Sequence, residues 1–159
     1  LNAALCAREE KMKIEQVNSQ DVDALVELIS YVASSNILPS LSEEGRKSFI
    51  SSIHPDVETA LDLTRFQSFK VTVGDEIIAF GAIRDSDYIT HLFVDTRTQK
   101  NGVGKRLLHH LLSQSSAREV GLKSSVNAVG FYESQGFTVT DTEQNVKGIR
   151  YVPMSWLRT

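Results

Sequence analysis

Apolar residues near the start of the chain recur every three or four positions, which predicts an amphipathic helix. This helix follows Ser19, a candidate N-cap, and ends near Ser34. Residues 42–53 and 57–66 predict two shorter helices, because His54-Pro55 separates them and proline ends most helices. The periodic apolar positions of the first helix are Val22, Leu25, Val26, Ile29, Val32 and Ala33.

The pattern changes to strand-like alternation at Phe69. Residues 69–73, 77–83 and 88–94 predict an antiparallel meander, with turns at Gly74-Asp75 and at Asp85-Ser86-Asp87. Together with a short strand at 14–17, this order predicts a mixed α+β domain with one strand–helix–strand crossover. The remaining predicted elements are a helix over 103–112, a strand over 122–126, a helix over 128–135 that Gly136 ends, and strands over 137–140 and 149–156.

The composition indicates one globular domain. The chain has 159 residues, of which 41% are hydrophobic and 23% charged, and its net charge is −3. This charge gives no general basic field, so we expect no nucleic-acid partner. No apolar run reaches the roughly 20 residues of a membrane helix, so we expect no membrane partner. The single cysteine, Cys6, excludes an intrachain disulfide and fits a reducing, cytoplasmic compartment.

Residues 1–11 differ from the rest of the chain. They lack a starting Met, and they do not have the ordered regions of a signal peptide. Met12-Lys13-Ile14 resembles a natural start. We therefore expect 1–11 to be an extension or an expression remnant, and 12–159 to form a single domain.

A glycine pair marks the start of the helix predicted at 103–112. Gly102 and Gly104 follow a polar loop after the strand that ends at Val94, and Lys100 and Lys105 lie beside them. Free N–H groups and the positive dipole end make a helix start an anion site, and glycines allow a phosphate to approach the backbone. The segment therefore predicts a phosphate site, although a tight turn alone would also need glycines.

Two other phosphate motifs do not match this loop. A P-loop needs a glycine at the position of Gln99 and Ser or Thr at the position of Arg106. A dinucleotide-binding fingerprint needs a small residue where the chain has Leu107. Neither a nucleoside triphosphatase nor a nicotinamide enzyme is therefore indicated.

A second informative segment covers 124–137, where a strand is followed by a short helix and a glycine stop. Phe131 and Tyr132 stand side by side in that helix. An aromatic pair of this kind is usually part of the core, while a tyrosine can also direct its hydroxyl into a cleft. Both readings of Tyr132 stay open on the residues alone.

The two segments together resemble the GNAT family of N-acetyltransferases. Gln99 to Gly104 match the family's Q/R-x-x-G-x-G/A loop, and 125–137 resembles its second signature, with Ser125 where the family has Asn. The resemblance covers about 14–156, and before Phe69 it rests on element order. It implies that acetyl-CoA binds where the two central strands separate. The implied cofactor-binding residues are Leu92, Phe93, Val94, Gln99, Lys100, Asn101, Gly102, Val103, Gly104, Lys105, Ser125, Ala128, Phe131 and Tyr132.

The resemblance also implies a chemistry, in which acetyl passes directly from acetyl-CoA to an amine in a ternary complex. Tyr132 is the implied general acid for the leaving thiolate. Relatives place a base at the positions of Thr90 and Tyr88, and neither residue is a good base. His91 has suitable chemistry, but strand alternation predicts that it faces away from Thr90. A water relay, or an acceptor that arrives neutral, would remove the need for a base.

These observations predict a three-layer α+β fold, with a twisted mixed sheet of six or seven strands and helices on both faces. We expect an acetyl-CoA-dependent N-acetyltransferase without a metal, and a possible homodimer through 149–156. An acyl-CoA-binding sensor or a non-enzymatic interaction domain are the alternatives. Residues 34–66, with the loops around Asp85 and Asn145, are expected to shape the acceptor site. Their acidic lean would suit a cationic amine, although exposed helix charges give the same pattern.

Overall fold

The computed structural model describes residues 11–98 and 102–159 of the chain. Within these residues the chain forms eight strands and four α-helices. The strands are β1 (Met12–Gln16), β2 (Phe66–Val73), β3 (Glu76–Arg84), β4 (Tyr88–Val94), β5 (Glu119–Ser124), β6 (Thr138–Val139), β7 (Gln144–Val146) and β8 (Ile149–Leu157). The helices are α1 (Val22–Asn36), α2 (Glu43–Thr59), α3 (Val103–Ser113) and α4 (Val129–Ser134).

The strands form one mixed sheet in the order β1-β2-β3-β4-β5-β8-β6, and β7 pairs with β8 beside this path. Among the strands that the structure describes, only β4 and β5 run parallel, and α3 provides the crossover between them. The mixed sheet predicted from the sequence is therefore confirmed. The structure describes eight strands, whereas the sequence predicted six or seven. The strand that the sequence did not predict is β7.

Helices cover both faces of the sheet, as predicted. On one face, α1 and α2 pack against Phe80 and Ala82 of β3. On the other face, α3 and α4 pack against β3, β4 and β5, where Ile83, Ile89 and Leu122 are buried. Within residues 11–98 and 102–159, no helix combines the length and the apolar character needed to cross a membrane.

The two helices predicted at 42–53 and 57–66 are one helix, α2, which runs through Pro55. Proline inside a helix removes one hydrogen bond and destabilises it by ~3 kcal/mol. Ile53 and Val57 lie one turn apart on the same face, and both are buried in the core. Burying two such side chains stabilises the helix by ~3–6 kcal/mol, so packing outweighs the proline. The segment after Thr59 turns and enters β2 at Phe66 instead of continuing the helix.

A side-chain cap precedes the first helix. Asn18 accepts a hydrogen bond from the Gln20 N–H, so the cap precedes the predicted Ser19 by one residue. A short 3₁₀ turn, Ser19–Asp21, then leads into α1. Asp21 also accepts a hydrogen bond from Lys70 at 2.9 Å, which ties the start of α1 to β2.

The parallel pair β4 and β5 separates soon after it begins. The two strands pair only at Tyr88 with Gly121 and at Ile89 with Leu122. Beyond these pairs the strands diverge, which opens the sheet between Val94 and the end of β5. The predicted splay of the two central strands is therefore present.

Candidate active site

A cavity of about 560 Å³ lies where β4 and β5 diverge. This volume is in the usual range for small-molecule sites. The cavity wall combines the end of α1, Phe49 of α2, β4, the start of α3, the loop and helix after β5, and the start of β8. Of the predicted site residues, those that line it are Thr90, His91, Leu92, Phe93, Val94, Gly102, Gly104, Lys105, Ser125, Ala128, Phe131 and Tyr132.

One end of the cavity is formed by the start of α3. Gly102 caps this helix with a left-handed backbone, φ 72°, which favours glycine. A Cβ on Gly104 would lie 3.5 Å from Phe131 and Val94, so the helix start packs closely against both cavity walls. Val103 is buried in the core and does not line the cavity. The predicted contacts of Gln99, Lys100 and Asn101 lie outside the described residues.

The loop between β4 and α3 is anchored by Asp95, a residue that the sequence analysis did not single out. Its carboxylate accepts hydrogen bonds from the Arg97 backbone N–H at 2.9 Å and from Arg97 Nη2 at 2.7 Å. The Arg97 guanidinium holds the pKa of Asp95 below its usual range. The sequence did contain a signal for this turn, because Asp95 directly follows a strand and precedes Arg97 by two positions. The short side chain of aspartate often accepts a hydrogen bond from the backbone two residues on, which favours a turn.

Tyr132 belongs to both the core and the cavity wall. Its ring packs against Phe131 and Phe137, with centroid distances of 5.2 and 5.6 Å. Its hydroxyl forms no hydrogen bond with the part of the chain that the structure describes. Burial raises the pKa of Tyr132 well above its usual value, so the hydroxyl keeps its proton at neutral pH. Tyr132 can therefore donate a hydrogen bond to a group in the cavity.

Thr90 and His91 form a polar pair on the opposite wall. A bulge lies here, because Ala82 pairs with His91 and Ile83 with Ile89, so Thr90 is the extra residue. Thr90 Oγ1 lies 2.8 Å from His91 Nδ1. The prediction that the two side chains face apart is therefore wrong, since the bulge interrupts the alternation on which it relied.

The His91 imidazole is enclosed by apolar rings. Its ring centroid lies 5.1 Å from that of Phe80 and 6.1 Å from that of Phe93. Desolvation lowers the pKa of His91 to about 4, so the ring is neutral at physiological pH. A neutral imidazole of this kind accepts or donates hydrogen bonds but is a weak base.

Tyr88, the second residue at a base position, lies outside the cavity wall. Its ring stacks under the Arg84 guanidinium at 4.9 Å and contacts the Gly121 backbone region. Burial raises the pKa of Tyr88, which makes its phenolate harder to form. The structure therefore brings Thr90, His91 and Tyr132 to one cavity and leaves Tyr88 beside it.

The far end of the cavity is closed by contacts between distant segments. Asn127 Nδ2 donates to the Asn36 carbonyl at 3.0 Å, which joins the loop before α4 to the end of α1. The β7–β8 hairpin packs on the start of α2, where a Cβ on Gly45 would overlap the Gly148 carbonyl. Gly148 has φ 82° and closes the hairpin turn. We call α2 and this hairpin together the acceptor roof, because they belong to the segments that the sequence analysis expected to shape the acceptor site.

Of the segments expected to shape the acceptor site, 34–66 contributes Asn36, Ile37 and Phe49 to the cavity. The loop at Asp85 does not line it, and Asp85 instead pairs with Arg65 at 2.6 Å. The β7–β8 hairpin contributes through its outgoing strand, where Arg150 and Tyr151 line the cavity.

Comparison with known proteins agrees with this architecture. The sequence profile of the Acetyltransferase (GNAT) domain matches residues 37–158. The crystal structure of PaiA N-acetyltransferase from Thermoplasma acidophilum in complex with coenzyme A superposes with a TM-score of 0.73. It shares 18% identity, and the match covers 92% of this chain and 99% of that one, so this likeness concerns the fold.

Two curated relatives come from Salmonella typhimurium. Peptidyl-lysine N-acetyltransferase YjaB is 36% identical over 75 residues, which are 44% of this chain and 48% of the relative. The [Ribosomal protein bS18]-alanine N-acetyltransferase is 29% identical over 90 residues, 51% of this chain and 61% of the relative. The chain thus matches about half to three-fifths of the length of these relatives.

The profile match spans most of the chain, and it includes the glycine-started helix α3, the diverging strands and Tyr132. On this ground the chain belongs to the GNAT acetyltransferase family.

Proposed function

We propose that this chain is an acetyl-CoA-dependent N-acetyltransferase that acetylates a primary amine by direct transfer in a ternary complex. The observation that carries the proposal is a single cavity that joins a helix N-terminus to a neutral tyrosine hydroxyl. Both curated relatives are named N-acetyltransferases, and one structural relative is solved with coenzyme A, which supports the same cofactor.

The cofactor would occupy the opening between β4 and β5. Backbone N–H groups from Gly102 to Lys105, at the start of α3, would hold the pyrophosphate, since a helix start favours anions. The β4 segment Leu92–Val94, which lies beyond the two residues that pair with β5, would lie along the pantetheine arm as beside an added strand. The thioester would then lie between Tyr132 on one wall and the Thr90–His91 pair on the other.

In the transfer step, the neutral amine attacks the thioester carbonyl carbon, a C–N bond forms and the C–S bond breaks. The sulfur leaves as a thiolate whose aqueous pKa is about 8.5. Because the pKa of Tyr132 is raised above its usual value, full proton transfer from its hydroxyl to the thiolate is uphill. Tyr132 would therefore stabilise the charge that develops on sulfur through a hydrogen bond. The proton that the amine nitrogen loses as the amide forms would balance the negative charge of the thiolate.

The acceptor must lose a proton, and His91 is a poor destination for it. An alkyl ammonium has a pKa of about 10.4, whereas the pKa of His91 is about 4, so that transfer costs about 9 kcal/mol. Deprotonation to water at pH 7.4 costs only about 4 kcal/mol. The amine is therefore expected to enter neutral or to lose its proton through water, while the Thr90–His91 pair orients it.

Calorimetric titration with acetyl-CoA tests the cofactor site. The wild type should bind, and Gly104→Glu should not, because its carboxylate would enter the proposed pyrophosphate site. Gly104→Ala is the matched control, since its Cβ would only make ordinary contacts at 3.5 Å and adds no charge. A folded wild type that does not bind acetyl-CoA, or a Gly104→Glu protein that binds as well as Gly104→Ala, would contradict the proposal.

An acyl-CoA-binding sensor without transfer is the second candidate. The neutral His91 favours it, because a sensor needs no base. The two functions differ in one measurement: release of free coenzyme A thiol in the presence of an amine panel. A transferase releases thiol only when an acceptor is present, whereas a sensor binds acetyl-CoA and leaves it intact.

A further inference from the structure

The charged side chains that line the cavity are all cationic. They are Lys105, Lys123 and Arg150, and within residues 11–98 and 102–159 no Asp or Glu lines the cavity. Lys105 lies on α3, at the proposed cofactor end. The other two lie on β5 and β8, toward the acceptor roof. The acidic residues of α2, which the sequence analysis read either as suited to a cationic amine or as ordinary exposed charges, lie outside the cavity wall.

Arg150 is already occupied by partners within the chain. Its Nε and Nη2 donate to Glu143 at 3.0 and 2.9 Å, and its Nη1 donates to the Ser40 carbonyl at 3.1 Å. The Glu143 carboxylate raises the pKa of Arg150 and offsets its charge. Arg150 therefore holds the β7–β8 hairpin to the segment before α2, and three of its five N–H donors are already used within the chain.

Lys123 differs from Arg150 in having no carboxylate partner among the described residues. It follows Leu122, the last β5 residue paired with β4, so its side chain stands where the sheet opens. Its Nζ lies 4.8 Å from the centroid of the Tyr151 ring, which keeps the ammonium beside the cavity. Across from it, Ile37 and Phe49 give the acceptor end an apolar wall.

We infer that the acceptor amine carries a carboxylate near the amine, and that Lys123, held over Tyr151, binds this carboxylate. The inference rests on the proposed function and names the substrate class of the same cavity. An amine with a second positive charge would meet like charges at this end, whereas a carboxylate gives Lys123 the counter-ion that the chain does not supply. Acidic peptide N-termini and free acidic amino acids share this chemistry.

The test is acetylation kinetics with short C-terminally amidated peptides that differ only at their second residue: Ala-Glu, Ala-Gln and Ala-Lys. Free glutamate and glutamine amide, which has no carboxylate, form a second arm that tells a small-molecule acceptor from a peptide. Thiol release gives kcat and KM for each acceptor. The protein variants are Lys123→Gln and Lys123→Glu, with Lys13→Gln on the exposed outer strand β1 as the control.

For the wild type we expect a KM about 5-fold lower for a glutamate acceptor than for its glutamine partner, the size of a modest ion pair. Lys123→Gln should remove this difference in KM, and calorimetry should show that its acetyl-CoA affinity equals that of the wild type. Lys123→Glu should reverse it in favour of Ala-Lys, and Lys13→Gln should behave as the wild type. A preference seen in either arm supports the inference and identifies the source of the acceptor.

Equal KM values for glutamate and glutamine acceptors, or a preference that survives in Lys123→Gln, would overturn the inference. So would a protein that binds acetyl-CoA but acetylates no glutamate acceptor. These results would leave the cofactor site intact, because acetyl-CoA titration is measured separately. Failure of the wild type to bind acetyl-CoA would overturn the proposed function together with the inference.

Discussion

Acid should destabilise this fold through His91, and replacing His91 should remove that sensitivity. The imidazole is enclosed by the rings of Phe80 and Phe93, and its pKa in the folded chain is about 4. In the unfolded chain it has the ordinary value of about 6.5. Between these two pH values the unfolded chain binds a proton that the folded chain does not, so stability falls as the pH falls.

The size of this effect follows from the two pKa values. A shift of about 2.5 units corresponds to about 3 kcal/mol at 1.36 kcal/mol per unit. The loss begins near pH 6.5, is complete near pH 4, and adds nothing above neutral pH. Because small domains have 5–15 kcal/mol of stability in total, roughly, a loss of this size is readily measured.

The assay is urea unfolding of the wild type and of His91→Gln at pH 7.5, 5.5 and 4.2. Carboxylates and the partly buried His110 titrate in both proteins, so the difference between them isolates His91. We expect the wild type to lose up to ~3 kcal/mol more than His91→Gln between the first and last pH. His109→Gln, at an exposed position of α3, is the control and should follow the wild type. Equal losses in the wild type and His91→Gln would refute the desolvated, neutral state of His91.

Three further predictions concern the cavity and the segments that support it. Tyr132→Phe should lower kcat by about 10²–10⁴-fold and leave acetyl-CoA affinity and folding stability unchanged, as calorimetry and thermal unfolding would show; an unchanged kcat would remove Tyr132 from the mechanism. Gly45→Ala should destabilise the fold by ~1–3 kcal/mol in urea unfolding, because its Cβ would overlap Gly148, and a neutral effect would mean that the roof is loose. Asp95→Ala should weaken acetyl-CoA binding about 5-fold by freeing the Arg97 turn, at ~1 kcal/mol per hydrogen bond, and unchanged affinity would show that this turn does not position the cofactor loop.

The sequence predicted most of the sheet because its central strands carry strong local signals. The bounds of β4, Tyr88–Val94, match the prediction, and the turns on either side of β3 contain positive-φ residues at Gly74 and Asp85. The start of α3 at Val103 also matches, since a left-handed glycine cap is visible as a sequence pattern. In these places local conformation and tertiary structure favour the same arrangement.

The sequence predictions fail where contacts between residues far apart in the chain determine the local structure. The continuous helix through Pro55 depends on the burial of Ile53 and Val57, which local sequence does not report. The strand β7 is short and polar, and its turn uses Lys147-Gly148 instead of the usual Asn-Gly. The bulge at Thr90 arises from the pairing of β3 with β4, so residue alternation alone could not place Thr90 beside His91.

The proposed cofactor end of the cavity could be predicted from the sequence, and the proposed acceptor end could not. Glycines and Tyr132 stand in continuous motifs, whereas the proposed acceptor end is assembled from Asn36, Phe49, Lys123 and Arg150, which are scattered along the chain. Nothing local links such residues, and their charges matter only after the fold brings them together.

The contact between Gly45 and Gly148 has a consequence for engineering and for evolution by recombination. These residues come from segments far apart in the sequence, yet neither tolerates a Cβ against the backbone of the other. A chimera could take α2 from one relative and the β7–β8 hairpin from another. In such a chimera the distance between the two backbones would no longer match the side chains at the contact. Libraries that aim to change acceptor preference should therefore exchange the two segments as one inherited unit, and vary Lys123 separately.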